Sequence, residues 1–334
     1  MKYGKILVVL LLILIGRNFA MENNPLPIAR GVNLGNALEA PFEGQWGTVI
    51  KDEYFKLIKE AGFDHVRLPV RWNAYADYKP PYKINQYIFD RVDHLINEAF
   101  KNNLYIIVNI HHYEEIMQDP EKHKERFLRL WEQIAEHYKD YPDMLYFELL
   151  NEPCQNLTSK LWNQYLKETI KIIRKTNPTR KIIVGPTEWN NLYKLKELEI
   201  PLDDKNLIVT FHYYNPFQFT HQGAEWVNPA PPVGVKWMGT DKEKRTVEFE
   251  LDIAVDWAKE HGNVPLYMGE FGAYSKADLE SRVRWTSFVA RSAEKRGIAW
   301  SYWEFCSSFG IYDPRNKAWL VPLLKALIPE TKIE

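Results

Sequence analysis

Two glutamates, Glu152 and Glu270, each follow an apolar run of the kind that forms a buried strand. A pair of carboxyl groups facing one cavity suits the acid-assisted hydrolysis of an acetal, in which one group holds a proton near neutral pH and the other stays ionised. Arg67 and the hydroxyl of Tyr214 would stabilise a charged Glu270 by Coulomb attraction and hydrogen bonding. The sequence therefore predicts that Glu270 is a nucleophile.

Glu152 lies beside Asn151 in an aromatic-rich setting. Burial there, together with the negative charge of Glu270, should raise the pKa of Glu152. A carboxyl group that keeps its proton near neutral pH can act as a general acid. We therefore predict that Glu152 is the proton donor.

Short apolar runs that favour β-structure alternate with longer amphipathic stretches along the chain. The expected strands are Ile28–Leu34, His65–Pro69, Leu104–Ile110, Leu145–Leu150, Lys181–Gly185, Leu207–Phe211, Pro265–Gly269 and Ile298–Trp303. The expected helices are Asp52–Ala61, Asn85–Asn102, Lys122–Tyr138, Ser159–Lys175, Leu192–Glu197, Val247–His261, Lys276–Lys295 and Trp319–Leu327. This alternation is typical of parallel α/β folds. We predict a single-domain (β/α)8 TIM barrel, because an open doubly wound sheet would normally carry a GxGxxG loop after its first strand.

Polar or aromatic side chains end seven of the eight expected strands. In chain order they are Asn36 and Glu39, Arg67 or Arg71, His111 and His112, Asn151 and Glu152, His212 and Tyr214, Glu270, and Trp303 and Glu304. The C-terminal ends of the strands form the active-site face of a TIM barrel. Polar groups after buried runs are unfavourable unless they are paired or used, so their joint occurrence predicts a functional site at this rim. We expect Glu304 to be among its substrate-binding residues.

Other kinds of site have weaker support in the sequence than the glutamate pair. His111, His112 and His212 could bind zinc with a carboxylate, but the chain has no HExxH motif, and we predict no metal. A serine esterase lacks support because no GxSxG motif occurs. A non-catalytic sugar-binding barrel would keep the aromatic residues and lose a glutamate, whereas a transglycosylase would use the same residues and stays open.

The charge balance and the aromatic content indicate the class of ligand. With 43 basic and 44 acidic residues the net charge is -1, so we expect no nucleic acid and no membrane surface as partner. Aromatic residues make up 14% of the chain, and flat rings can stack on sugar faces. Four tryptophans lie in expected loops near the rim, and the sequence leaves open whether each stacks on sugar or packs beneath its loop: Trp46, Trp189, Trp226 and Trp237.

The N-terminal apolar run Ile6–Ile15 has the length of a signal-peptide core and is too short to span a bilayer. We expect residues 1–20 to be a signal peptide and residues 21–334 to be the catalytic domain, secreted or held at the cell surface as a monomer. Met21 is an alternative start. For Cys154 and Cys306, each just after an expected strand, we favour two free thiols over a bridge.

Several motifs resemble glycoside hydrolase family 5. Asn151-Glu152-Pro153 follows Leu145–Leu150, and Gly269-Glu270-Phe271-Gly272 follows Pro265–Met268. Further motifs stand in the family's order: Arg67-Leu68-Pro69, His111-His112, His212-Tyr213-Tyr214 and Trp303. The resemblance runs from Ile28 to Ile328, which is nearly the whole expected catalytic domain.

The resemblance implies a retaining double displacement that needs no cofactor. Glu270 would attack the anomeric carbon, and Glu152 would protonate the leaving oxygen and then activate water. Their carboxyl groups should lie roughly 5 to 5.5 Å apart, against about 6.5 to 9.5 Å in an inverting enzyme. By the same resemblance, Arg67, His111, Asn151, His212 and Tyr214 would orient the nucleophile or the sugar, Trp303 would lie under the sugar before the cut, and Asn36, Glu39 and His112 would contact more distant hydroxyls.

The chain most resembles bacterial endoglucanases of this family, including thermophilic members that also accept mannans. We expect an endo-acting enzyme that cuts internal β-1,4 linkages in cellulose-type glucans and also in mannan. A dedicated mannanase is the alternative. Lys and Glu abound while Gln is sparse, which favours a thermophilic source.

Overall fold

Eight parallel strands close into a barrel in chain order, with the last strand paired to the first. The computed structural model describes residues 26–333, so the expected leader at 1–20 lies outside the described residues. The barrel strands are β1 Arg30–Asn33, β2 His65–Val70, β3 Tyr105–Ile110, β4 Leu145–Glu148, β5 Ile182–Val184, β6 Leu207–Tyr213, β7 Leu266–Phe271 and β8 Ala299–Tyr302. The predicted (β/α)8 barrel is confirmed.

The longer helices surround the barrel on its outer side, and the short ones lie in the loops. The helices are α1 Glu53–Ala61, α2 Gln86–Lys101, α3 Glu114–Gln118, α4 Pro120–His137, α5 Ser159–Arg174, α6 Thr187–Asn190, α7 Phe217–Thr220, α8 Asp241–Glu260, α9 Leu279–Lys295 and α10 Val321–Leu327. Of these, α6 is a short turn with left-handed backbone at residues 188–190. Two 3-10 helices, Trp72–Tyr75 and Leu192–Glu197, and an antiparallel pair, β9 Tyr312–Asp313 and β10 Ala318–Trp319, complete the fold. The short elements α3, α6 and α7, the first 3-10 helix and the β9–β10 pair were not predicted, because they are too brief to show a periodic pattern.

Capping residues explain why two predicted helices begin earlier than their apolar pattern indicates. The side chain of Asp119 accepts from the backbone N–H of Lys122, and Pro120 occupies the first turn of α4. Thr240 and Glu243 form a reciprocal capping box at the start of α8. Helix α8 therefore begins six residues before the predicted Val247.

The barrel interior changes from apolar to polar toward the C-terminal rim. Residues two apart on a strand share a face. The lower part of the interior is an apolar cluster of Ile107, Tyr146, Ile183, Ile208, Tyr267 and Ala299 with Ile28. Two residues after Ile107, Tyr146 and Ile208, the buried positions are Asn109, Glu148 and Thr210. Asn33 of β1 and Arg67 of β2 join this layer, because Arg67 donates to both Asn33 and Glu148. The strand period therefore places a buried polar layer directly beneath the site.

Strands β6 and β7 both run two residues beyond their predicted ends. Their register pairs His212 with Glu270, after an irregularity between Phe211 and His212. His212 and Glu270, which we expected just past the strands, therefore lie within them, where the backbone is hydrogen-bonded to its neighbours. Between residues 26 and 333, no helix is long and apolar enough to cross a membrane.

Candidate active site

Glu152 and Glu270 meet at the C-terminal mouth of the barrel. Glu270 lies in β7 and is 5% exposed, whereas Glu152 follows β4 with 25% of its side chain exposed. A carboxylate oxygen of each glutamate and a ring nitrogen of His212 all lie within 4.8 Å of one another. This trio is compact enough to share a cation, and its atoms also bond to one another and to neighbouring side chains.

Arg67 connects Glu270 to the rest of the polar layer. Its Nη1 donates to Glu270 Oε1 at 2.7 Å and to Asn33 Oδ1 at 2.9 Å. Its Nη2 donates to Asn151 Oδ1 at 2.8 Å, while Nε and Nη2 together bind both oxygens of Glu148. One buried cation therefore positions the nucleophile candidate and the residue next to the acid candidate.

The sequence did not single out Asn33 or Glu148, although both complete the arginine network. Each stands within a predicted strand rather than at its end. The available signal was an acidic or amide residue inside a buried run, at a position that the two-residue period turns inward. Glu148 is completely buried, which only its pairing with Arg67 makes tolerable.

The second oxygen of Glu270 accepts a hydrogen bond from Tyr214 Oη at 2.9 Å. The contacts with Arg67 and Tyr214 that the sequence predicted are therefore present. Burial nevertheless raises the pKa of Glu270 above its ordinary value, against the lowering influence of His212 and Arg67. Ionised Glu270 depends on those donors because few water molecules can reach it.

Glu152 accepts from His212 Nδ1 at 2.7 Å. Burial raises the pKa of Glu152 to about 7; the nearby Glu148 charge adds to this effect and Arg67 opposes it. The predicted direction and its main cause, desolvation, are as expected. Glu148 adds a like charge, and the repulsion between Glu152 and Glu270 raises the pKa of Glu270. A carboxyl group with this pKa holds a proton for a substantial part of the time near neutral pH.

His111 and Trp303 form one wall of the site. Their rings stack with centroids 5.7 Å apart and an interplanar angle of 11°. Asn109 Nδ2 lies 3.1 Å from His111 Nδ1, and burial keeps the pKa of His111 well below its ordinary value. His111 is therefore neutral and presents its Nε2–H toward the groove side of Glu270, with Nε2 4.0 Å from Glu270 Oε1.

Of three other residues that we expected to contact substrate, one lines the groove and two lie beneath it. Asn36, partly exposed, lines the groove. Glu39 is buried and accepts from the backbone N–H of Ala37 at 2.9 Å and from that of Asn36. Glu304 is buried as well, and its oxygens accept from backbone N–H groups of the following loop, at 3.1 Å from Cys306. The two glutamates that we expected to contact substrate thus hold the loops after β1 and β8, beneath the groove.

The groove consists of two cavities that share Glu152, Tyr214, His221 and Trp226. One, of about 510 Å³, extends past Glu270 and Trp303 to His112 and Trp46. The other, of about 550 Å³, extends to Trp189, Tyr193 and Phe217. The groove therefore offers space on both sides of Glu152.

The four loop tryptophans do not behave alike. Trp46, Trp189 and Trp226 are 43%, 56% and 57% exposed and line the groove. Trp237 is 2% exposed and packs near Phe288, with ring centroids 5.9 Å apart. The packing interpretation therefore holds for Trp237 alone. Cys154 and Cys306 are free thiols, as favoured from the sequence.

The family model for cellulase, glycosyl hydrolase family 5, matches residues 29–308. Endoglucanase H of Acetivibrio thermocellus is 38% identical over 306 residues, which cover 89% of this chain. The chain spans 32% of the length of that relative.

Solved structures give a closer match in length. A hyperthermophilic endo-beta-1,4-glucanase, solved in complex with substrate, is 51% identical with a TM-score of 0.89, over 91% of this chain and 97% of that chain. Cel5A of Thermotoga maritima, solved in complex with mannotriose, is 55% identical with a TM-score of 0.88, over 90% of this chain and 97% of that chain.

Proposed function

Because the chain belongs to glycosyl hydrolase family 5, we propose that it is a retaining, endo-acting enzyme that cleaves internal β-1,4 linkages in glucans. The observation that carries this proposal is the pairing of Glu152 and Glu270 at the barrel mouth, with carboxylate oxygens within 4.8 Å. Retaining enzymes hold their carboxyl groups roughly 5 to 5.5 Å apart, and inverting enzymes need about 6.5 to 9.5 Å to admit a water molecule. The short separation supports direct attack by a carboxylate.

In the first step, Glu270 attacks the anomeric carbon and Glu152 gives its proton to the leaving oxygen as the glycosidic bond breaks. Arg67 and Tyr214 hold Glu270 in place and stabilise its charge before attack. In the second step, Glu152 takes a proton from water, which displaces Glu270 from the sugar. The chemistry needs these side chains and water alone.

The shape of the groove supports the proposed action within a polymer. Sugar rings can occupy the cavity that runs to Trp46 and the cavity that runs to Trp189, so a chain can cross the site with residues on either side of the cut. Trp303, stacked on His111, offers its ring to the sugar next to the cleaved bond.

The substrate class rests on the solved relatives. One similar protein is an endo-beta-1,4-glucanase, and another was solved with mannotriose. We therefore propose cellulose-type glucan as the main substrate and mannan or glucomannan as a second one. Polymers of this size cannot enter a cell, so the proposed function also requires the export that we expect from residues 1–20.

Release of reducing ends from carboxymethylcellulose, barley β-glucan, glucomannan, mannan and xylan tests the proposal, with Glu270→Gln as the blank. We expect activity on the glucans and a smaller activity on the mannans, both abolished in the blank. Proton NMR of the first products should show the β-anomer. Initial release of the α-anomer would contradict retention, and equal activity in the blank would contradict the assignment of Glu270.

A further inference from the structure

The two ring nitrogens of His212 face different partners. Nδ1 lies 2.7 Å from Glu152 Oε1 and 3.5 Å from Glu270 Oε2. Nε2 lies 3.2 Å from the amide nitrogen of Asn190. Asn190 is fully buried, and the reaction described above assigns it no role.

The surroundings of His212 determine which nitrogen carries the hydrogen. Burial lowers the pKa of His212 to about 4, with Arg67 acting in the same direction and Glu270 and Glu148 opposing, so the ring is neutral near pH 7. A neutral imidazole has one N–H. Because Nδ1 faces carboxylate oxygens, it carries that hydrogen, and Nε2 presents a lone pair to the Asn190 amide.

The backbone holds Asn190 firmly against the ring. Asn190 has a φ of 54°, and its neighbours Glu188 and Trp189 share this left-handed conformation. The next residue, Asn191, forms an isolated β-bridge with His212 of β6. A Cβ added to Gly185 would come within 2.4 Å of Asn190 Oδ1, so the amide packs directly on that glycine. A run of strained residues persists only where its surroundings hold it, and such runs cluster at functional sites.

The amide makes uneven use of its two polar atoms. Within residues 26–333, Oδ1 is buried without a hydrogen-bond partner, whereas Nδ2 donates to Nε2 of His212. The left-handed φ favours Asn or Gly at this position, but Gly would remove the Nδ2 donor from Nε2 of His212. The retained donor indicates that its contact with His212 is the reason for an amide at this position.

We propose that Asn190 is a positioning residue that fixes the ring hydrogen of His212 on Nδ1 and thereby keeps the acid proton of Glu152 on Oε2. Oε1 already accepts the Nδ1–H, so the proton that passes to the leaving oxygen must reside on Oε2. If the ring hydrogen moved to Nε2, the bare Nδ1 would accept the Glu152 proton and hold it away from the substrate. The inference rests on the proposed function, in which Glu152 protonates that oxygen.

Two substitutions separate positioning from packing. Asn190→Asp keeps the shape of the side chain but replaces the donor with acceptor oxygens, so Nε2 takes a proton. Asn190→Gly tolerates the left-handed φ and removes the amide. Without the Nδ1 hydrogen, the ring accepts the proton of Glu152. Beside a positively charged ring, the pKa of Glu152 falls, so in either case Glu152 less often holds a proton for the leaving oxygen. Positioning therefore predicts that Asn190→Asp is the more harmful change, whereas packing predicts that Asn190→Gly is.

Aryl cellobiosides provide the readout, because a dinitrophenyl group leaves without protonation and a phenyl group requires it. For Asn190→Asp, we expect kcat/KM to fall about tenfold or more with the phenyl glycoside and to change less than about twofold with the dinitrophenyl glycoside. Asn190→Gly should lie between this variant and the wild type. An equal fall with both substrates, or a larger fall for Asn190→Gly, would overturn the inference.

Nitrogen-15 NMR of the imidazoles observes the hydrogen directly, with the His212 signals identified by their loss in His212→Asn. The wild type should show hydrogen on Nδ1, and Asn190→Asp should show it on Nε2. Unchanged His212 signals in Asn190→Asp would refute the positioning role. A wild-type enzyme inactive on both cellobiosides and on every glucan would instead refute the proposed function, so the two failures are distinguishable.

Discussion

Arg67 donates to both carboxylate oxygens of Glu148, through Nε at 2.6 Å and through Nη2 at 2.7 Å. Two parallel hydrogen bonds fix the plane of a guanidinium group as well as its position. The remaining nitrogen, Nη1, is thereby directed at Glu270. Glu148 thus orients Glu270 indirectly, through Arg67.

Glu148→Gln should separate the structural and electrostatic parts of this arrangement. Breaking one side of a buried ion pair should lower the free energy of unfolding by about 3 kcal/mol. Because the Glu148 charge raises the pKa of Glu152, the basic limb of the kcat/KM profile should also move to lower pH. Chemical denaturation and a pH profile measure the two effects.

Asp204→Asn is the matched control for Glu148→Gln. Asp204 also receives two hydrogen bonds from an arginine, Arg174, at 2.7 and 3.2 Å, but it lies outside the groove. We expect the control to lower stability and leave the pH profile unchanged. A basic limb that stays in place in Glu148→Gln would refute the electrostatic role of Glu148.

Tyr214→Phe removes the hydroxyl that donates to Glu270 at 2.9 Å. A hydrogen bond to a charged group contributes about 1.5 kcal/mol or more, so kcat/KM should fall roughly tenfold. The acidic limb should move to higher pH, because ionised Glu270 loses a donor. Tyr213→Phe is the control, since it removes a hydroxyl bound to Glu250 at 2.6 Å. An equal fall in both variants would show that the contact with Glu270 has no special importance.

The pH dependence of the wild type follows from the two glutamates. Glu270 must be ionised, and burial raises its pKa, so activity should fall on acidification at a pH above the ordinary value for glutamate. Glu152 must be protonated, so activity should fall again as pH rises through about 7. Measured with the dinitrophenyl glycoside, kcat/KM should lose the basic limb, since that leaving group needs no proton. Persistence of the limb there would assign it to another group.

Trp303→Ala should weaken binding of sugar more than it weakens the fold. The Trp303 ring is partly exposed in the groove, so KM should rise while the unfolding temperature changes little. Trp237→Ala should do the reverse and lower stability by about 3 kcal/mol or more, because Trp237 is buried away from the groove. A collapse of the unfolding temperature in Trp303→Ala would support a core role for Trp303.

The eight-strand alternation was visible in the sequence because each strand is a short apolar run and each long helix carries a periodic apolar face. The ends of β6 and β7 were placed too early, since His212 and Glu270 are polar and interrupt the apolar pattern while the backbone pairing continues through them. Residues expected to follow the strands therefore lie on them.

The site itself was predictable at the rim and less so below it. Glu39 and Glu304 showed the same signal as groove residues, a charge after a strand, and only the backbone N–H groups that they accept reveal their supporting role. Glu148 showed a signal of its own, a charge inside a buried strand, but its pairing with Arg67 did not. The contact of Asn190 with His212 likewise joins different segments of the chain, and no local spacing encodes it.

The most direct test of the central assignment is to trap the covalent intermediate. Incubation with a 2-deoxy-2-fluoro cellobioside that carries an activated leaving group should slow the second step more than the first, and mass spectrometry of the digested protein locates the sugar. We expect one fluorinated cellobiosyl group per chain, attached to the peptide that contains Glu270. Rapid hydrolysis of the natural substrate with no adduct on Glu270, or an adduct on a different residue, would contradict Glu270 as the nucleophile.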